Sequence, residues 1–447
     1  MGLVGRRTAA LLGGAAIAMA VGAYQAAAQN AVTEEEDATA QEQQARRGGV
    51  TLLQRIVVGA GQEKVAIDTP QAVTVIDQQD IDREQATTTG ELFKNVPGVS
   101  MTGSSRALGE AFNIRGIGST DNSADGSRII ITVDGAQKFY EQYRVGSFFS
   151  EPELYKKVEV LRGPASSTLY GSGALGGVVN FVTKDASDFI ADDGTGALRL
   201  KGAYETNGDG WLGSAIWAHR FSDNLEVLVS GNYRRSDEFK LGDGSLLDSS
   251  DFKSWSGLAK GTYRFGDTNE QTLRLSYQRW DSDNDDQAYS QTGTFPVFGT
   301  VDRHVVDGTF LLSYENPATD NDLLDLKATL SYSNTDIEQE NGTLGNAIID
   351  ANYGYRTWQG NLQNTSRFTG DSWESFLTYG TQLTHQKRVG QSQFTGTGIN
   401  THPEGTDTKL GLFVQNEFIW DERLTIISGV RGDFAWREVV NKYKPGE

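Results

Sequence analysis

From about residue 194 onward the chain alternates, residue by residue, between apolar and polar side chains, in runs too long for an ordinary soluble strand. Leu324-Asp325-Leu326-Lys327-Ala328-Thr329-Leu330-Ser331-Tyr332 has this period of two, and so do Leu273-Arg274-Leu275-Ser276-Tyr277-Gln278 and Leu225-Glu226-Val227-Leu228-Val229. Successive side chains of a strand point to opposite sides of its sheet, so such runs build a sheet with one oily and one wet face. A soluble sandwich has the same period with its oily face turned inward. The runs here read as about 10–14 residues, against about 5–6 in soluble sheets, and are long enough to cross a bilayer at a tilt. The links favour the membrane. About eleven strands fit between Gly196 and Trp436, joined by links that alternate in length. They are short near 221–224, 265–269 and 420–423, and long over roughly 238–252, 282–303, 337–355 and 388–406. Tight inner turns and long outer loops are the habit of outer-membrane barrels. Tyr233, Tyr277, Trp280, Tyr332, Phe418 and Trp420 fall near strand ends, where an interfacial girdle belongs. No other segment approaches about 18 apolar residues, so a membrane position requires a barrel in which every strand edge is paired.

The first residues set the compartment. Arg6 and Arg7 precede an apolar stretch over 8–23, and Ala26-Ala27-Ala28 offers a small-residue cleavage site. That order is a signal peptide over 1–28; the apolar run falls short of the roughly 20 residues a membrane anchor needs. Residues 29–50 are acidic and polar and read as a flexible linker. Within 51–61, Leu52-Leu53-Gln54-Arg55-Ile56-Val57-Val58 is a β-prone island suited to pairing with a sheet edge. Residues 62–190 read as a compact α+β domain. Its strands are expected at 72–76, 112–116, 128–133, 158–161 and 176–183, with a short helix from Thr89 and another helix start at Pro152. The net charge of −19 argues against a nucleic-acid partner, and the absence of cysteine excludes disulfides and thiolate metal sites.

Four motifs stand in order inside the α+β region: Asn95-Val96-Pro97-Gly98-Val99, Asn113-Ile114-Arg115-Gly116, Thr132-Val133-Asp134-Gly135, and the run from Val158-Glu159-Val160-Leu161-Arg162-Gly163-Pro164 to Gly176-Gly177-Val178-Val179-Asn180. Together they resemble the plug of TonB-dependent outer-membrane receptors, and Ile56-Val57-Val58 resembles a TonB box. The resemblance implies a transmembrane β-barrel of about 22 strands closed by an N-terminal α+β plug, with about eleven of those strands over 191–447. It implies an active transporter rather than an enzyme, driven by the TonB energy-transducing complex and seated in outer-membrane lipid. By the same resemblance the chain is an N-terminal portion of such a receptor, its sheet an incomplete wall. Arg115 and Arg162 are implied to pair with barrel glutamates that would lie beyond Glu447.

Gly146-Ser147-Phe148-Phe149-Ser150-Glu151-Pro152-Glu153-Leu154-Tyr155 is most similar to the haem/haemoglobin branch, which implies haem as transported ligand rather than cofactor. In that branch a plug histidine can ligate haem iron just before the Phe-Phe pair. Here that segment reads Lys138-Phe139-Tyr140-Glu141-Gln142-Tyr143-Arg144-Val145, without histidine. Tyrosine also ligates haem iron, so Tyr140 and Tyr143 are candidates, with Phe139 beside them and Arg144 suited to a propionate. His304, His385 and His402 are further ligand-side candidates at outer strand ends or in loops, and His219 falls toward the inner side. Asp281, Asp283, Asp285 and Asp286 lack the glycine and distal glutamate of a calcium loop and read as a solvated acidic loop. A ferric-siderophore receptor of the same fold is the nearest alternative; a passive porin would have no plug.

Overall fold

The computed structural model describes residues 72–440, apart from 104–108, 120–127, 165–166, 172, 268–269, 291–296, 319, 346–347, 394, 397, 400–401 and 422. It also describes the backbones of two short antiparallel strands, β1 (Arg55–Ile56) and β2 (Lys64–Val65). The signal peptide, the linker and most of the 51–61 segment lie outside the described residues.

The N-terminal domain is built on a five-stranded mixed sheet. In chain order its strands are β3 (Ala72–Ile76), β7 (Ile129–Val133), β8 (Ala136–Lys138), β9 (Tyr155–Arg162) and β10 (Gly177–Thr183), and their spatial order is β3-β9-β10-β7-β8. β7, flanked by β10 and β8, runs parallel to β10 and is buried at every residue. That explains why Ile129-Ile130-Ile131-Thr132-Val133 reads as a continuous apolar run rather than an alternation. A second small sheet joins β4 (Val99–Thr102), β5 (Ala111–Ile114) and β6 (Ile117–Gly118). Phe93, Phe112, Phe148 and Phe181 fill the core between them, with Phe148 stacked on Phe181 at 4.6 Å and Phe93 edge-on to Phe112 at 5.2 Å. The helix Gln78–Glu84 and the single turn Ser167–Tyr170 lie outside the sequence expectations; the first is the longer. The signal for Gln78–Glu84 is present in the sequence: Asp77 caps the Asp80 amide at 2.9 Å, and the Asp80 side chain caps Asp77 in return. The helix expected from Thr89 is a single 3-10 turn, Gly90–Phe93. The Gly90 amide donates to both oxygens of Glu110 at 2.7 and 2.8 Å, and burial pushes that carboxyl up to about 7.

Eleven antiparallel strands follow, as the alternation implied, each paired with its sequence neighbours. They are β11 (Gly196–Glu205), β12 (Gly210–Ser222), β13 (Leu225–Ser236), β14 (Phe252–Phe265), β15 (Gln271–Ala288), β16 (Thr300–Asn316), β17 (Leu326–Glu340), β18 (Ala351–Gly370), β19 (Trp373–Ser392), β20 (Gly405–Trp420) and β21 (Leu424–Val439). The sheet is open: β11 and β21 each have one partner and do not pair with each other.

Strand length departs from expectation, reaching 20 residues in β18 and β19. The outer ends run past the apolar band into segments whose polar alternation reads as loop. The acidic segment is a case in point. Asp281 and Asp283 are ladder partners of Val306 and His304, and the strand continues through a bulge between Asn284 and Gln287. Asp286 takes the left-handed conformation there, at φ 50°. These aspartates are therefore strand residues, and among the described residues no group of three or more acids or histidines is arranged to hold a metal ion.

The two faces of the wall divide cleanly. Leu198, Leu200, Leu275, Leu330, Leu362, Leu383 and Val414 point outward and are exposed. Trp211–Tyr233–Trp255 form an aromatic row with ring separations of 5.0 and 4.2 Å, and Tyr332–Trp358 continue it on β17 and β18 at 4.8 Å. Inward positions such as Ser230, Asn232, Arg234, Gln278 and Asp307 are polar and buried. The N-terminal domain touches strands from β11 to β21, so the sheet curves around it.

Candidate functional site

Two sets of ion pairs fix the domain to the wall. Arg234 on β13 grips Glu151 with both arms of its fork, Nε to Oε2 at 2.9 Å and Nη2 to Oε1 at 2.8 Å, with both side chains buried. Two residues on, Glu153 receives Arg199 at 3.0 Å, Lys201 and, from its own domain, Lys184 at 3.3 Å. Those cations hold its carboxyl well below the usual range against the opposing effect of burial. On the other side Lys138, at the end of β8, pairs with Asp307 at 2.8 Å and donates to the Gly308 carbonyl and Thr309 hydroxyl. Lys260 meets Asp185 at 3.0 Å and Asp134 at 3.4 Å. Arg431 of β21 reaches the Thr168 carbonyl at 3.3 Å.

Arg115 and Arg162 lie elsewhere in the domain, and the glutamates expected for them would fall beyond Glu447, so the eleven strands of this wall do not bear on that pairing. Arg162 donates within its own domain, to the carbonyls of Ala72 (3.2 Å) and Pro97 (2.5 Å) and to the Thr74 hydroxyl (2.8 Å). Arg115 is exposed in a left-handed turn, φ 52°, next to Gly116. Among the described residues neither has a barrel carboxylate in ion-pair contact. The plug–wall pairs that the structure does contain were missed from the sequence. Of the 56–58 segment, the Ile56 backbone pairs with Lys64, while Val57 and Val58 lie outside the described residues.

At the long-loop end a cavity of about 670 Å³ opens between the domain and the wall. Phe139, Glu141, Gln142 and Tyr143 line it from the domain, and Tyr289, Tyr353, Tyr355, Arg388 and His402 from the wall. That volume falls in the small-molecule range. Tyr140 is not in its lining. The ring is fully buried, edge-on to Phe149 at 5.5 Å and Tyr355 at 5.4 Å, and its hydroxyl bonds to Gln142. Burial pushes that phenol well above its ordinary value, which disfavours a tyrosinate there. Tyr143 is half exposed and packs on Phe298 at 6.0 Å, with the Arg144 guanidinium 5.3 Å from its ring centre.

The three outer histidines separate. His304 shares the parity of outward Phe310 on β16 and meets Asp281 at 3.2 Å. His385 shares the parity of outward Leu383 and Tyr379 on β19, stands opposite Trp358 in the ladder, and meets the Thr408 hydroxyl at 2.8 Å. Both face away from the cavity. His219 is also outward, stacked 5.7 Å from Trp217. His402 alone is at the cavity. It is buried in the link between β19 and β20, with ring edges against Tyr353 (4.9 Å) and Tyr355 (5.8 Å). Its Nε2 is buried without a hydrogen-bond partner. Burial, helped by Arg388, lowers its pKa to about 3, so the imidazole stays neutral at any ordinary pH. Gly390 makes room for it: a Cβ there would collide with the His402 carbonyl.

A polar-lined wall with a lipid-type outer face, holding a domain tethered to its inside, is the architecture of a plug within part of an outer-membrane barrel. The family model described as TonB-dependent Receptor Plug Domain matches residues 65–178. The N-terminal domain is thus similar to a TonB-dependent receptor plug, and the eleven-stranded sheet after it matches TonB-dependent receptor barrels in fold. The chain is 28% identical over 388 residues to a hemin receptor of Yersinia enterocolitica, covering 85% of this chain and 52% of the relative. Its fold is similar to the Serratia marcescens hemophore receptor HasR, solved with its hemophore HasA and heme, at TM-score 0.71 and 23% identity, covering 82% of this chain and 52% of HasR. The FrpB iron transporter of Neisseria meningitidis (F3-3 variant) is similar at TM-score 0.68 and 20% identity, covering 82% of this chain and 61% of the transporter. The chain spans about half the length of the curated relatives it matches.

Proposed function

We propose that this protein takes up haem across the outer membrane, with the outer cavity as its binding site and His402 as an axial ligand of the haem iron. The observation that carries the reading is the neutral, buried and unpartnered Nε2 of His402 at a cavity walled by aromatic rings. A porphyrin brings four nitrogens to its iron and asks the protein for only one or two donors. The flat macrocycle suits a slot lined by Tyr353, Tyr355, Phe139 and Tyr143. The relatives named as hemin and heme receptors support the same reading. Titrating purified protein with haem and following the Soret band tests it. We expect a saturable shift with unchanged band position from pH 8 to pH 5, since the imidazole carries no proton in that window. Saturable binding of a ferric siderophore with no Soret change would replace haem with the alternative cargo.

Transport itself requires energy from the inner membrane. In this reading the TonB complex pairs with the strand at Ile56-Val57-Val58, and pulling on it remodels the plug. No bond of the cargo changes. Val57→Pro removes a backbone donor from that pairing. Uptake should fall at least tenfold while haem affinity at the surface stays the same. An equal fall in both would make the segment part of the plug's own structure.

A further inference from the structure

We propose that Arg388 is the carboxylate anchor of the outer cavity and restricts its cargo to metalloporphyrins that carry a free propionate. This rests on the haem reading above and goes beyond it, since it names the chemical group that the wall selects.

The wall matches its other inward cations. Arg199, Lys201, Arg234 and Lys260 each meet a carboxylate. Arg303 donates to the carbonyls of Ala288 and Tyr289. Arg388 has neither arrangement. It stands on β19 directly across the ladder from Tyr355, with its guanidinium carbon 5.9 Å from the centre of that ring. Its Nε is buried and unpartnered, and among the described residues no carboxylate lies in ion-pair contact with it. A guanidinium Nε withdrawn from water and left unmatched in a cavity wall is costly. A carboxylate from the cargo would remove that cost and engage the planar fork through two parallel hydrogen bonds.

His402 and Arg388 both pack against Tyr355, so cargo whose metal reaches His402 presents its rim to Arg388. Glu141 lines the same cavity from the plug and lies within electrostatic reach of Arg388 without pairing with it. Arg437, the other arginine of the lining, is already engaged by Asp407 at 3.2 Å, and Glu141, Glu404 and Glu438 oppose a negative group elsewhere, so Arg388 fixes which edge of the ligand enters first.

The test compares haem with haem dimethyl ester, in which the iron is unchanged and both propionates are capped. Unsubstituted protein should bind the free acid at least tenfold more tightly, about 1.4 kcal/mol. Arg388→Gln should lose that preference and bind haem at least tenfold more weakly. The Soret position of bound haem should stay put, because iron ligation is untouched. Arg388→Lys should keep a fraction of the preference, through charge without the fork. Equal binding of acid and ester by the unsubstituted protein would overturn the proposal while leaving the haem reading intact, as would an undiminished preference in Arg388→Gln. A protein that binds neither porphyrin overturns both.

Discussion

Replacing Glu151 with alanine is expected to loosen the plug from its wall by about 3–5 kcal/mol, the usual consequence of stripping one partner from a buried charge pair. Arg234 would keep its charge in a site that is under a tenth exposed, with the Ala86 carbonyl at 3.4 Å as its remaining protein contact there. The loss is larger than for a surface pair because neither water nor salt reaches the guanidinium. Amide hydrogen exchange of the assembled protein reads it directly. Protection around 145–155 should fall by two orders of magnitude or more, while the outer strands of the wall exchange as before. The double variant Glu151→Leu with Arg234→Met should recover most of the protection, since a buried pair exchanged for apolar side chains of similar bulk is often neutral. Unaltered exchange in Glu151→Ala alone would mean that the fork contributes nothing to holding the plug.

His402→Ala is expected to weaken haem binding at least tenfold and to displace the Soret band of whatever complex remains. The imidazole is the one neutral nitrogen donor of the described cavity lining that lacks a hydrogen bond. Its removal leaves the aromatic slot able to hold the ring but not the metal. Gly390→Ala should have the same sign with a smaller size, because the added methyl displaces the segment that carries His402 without deleting the ligand. Tyr143→Phe offers the contrast: a half-exposed ring keeps its packing on Phe298 and should leave the spectrum alone. A Soret band that is unmoved in His402→Ala but moved in Tyr143→Phe would transfer the iron to the tyrosine.

The strands were legible because a membrane wall imposes the same two environments along their whole length. The period of two in Leu326–Glu340 persists from one end of β17 to the other. Strand ends were not legible, because beyond the apolar band both faces are polar and the ladder at Asp281 and Asp283 looks like loop. Parity alone separates the histidines: His385 falls in step with Tyr379 and Leu383, and His304 with Phe310, so their outward direction could have been read. His402 could not have been placed that way, since it lies in a link with no period. The anchors were hidden for another reason. Glu151 and Glu153 flank a proline, as surface acids often do, and their partners Arg234 and Arg199 sit in ordinary polar slots of strands far along the chain. A faint signal exists in the apolar neighbours Phe148, Phe149, Leu154 and Tyr155, which leave two carboxylates no exposed surface to occupy.

The plug segment that touches the cavity runs from Phe139 to Ser150 and is nailed down at both ends, at Lys138 by Asp307 and at Glu151 by Arg234. A segment clamped this way is a bridge between two piers rather than a hinged flap. Its piers continue into β8 and β9, members of one sheet whose far edge is β3, the strand of that sheet nearest in sequence to Ile56-Val57-Val58. Between Lys138 and Ala72 stand four backbone ladders, β8 to β7, β7 to β10, β10 to β9 and β9 to β3. Cargo pressing on the span therefore loads the sheet crosswise, as weight on a deck loads its planks. A tug on β3 arrives at the opposite edge through the same boards.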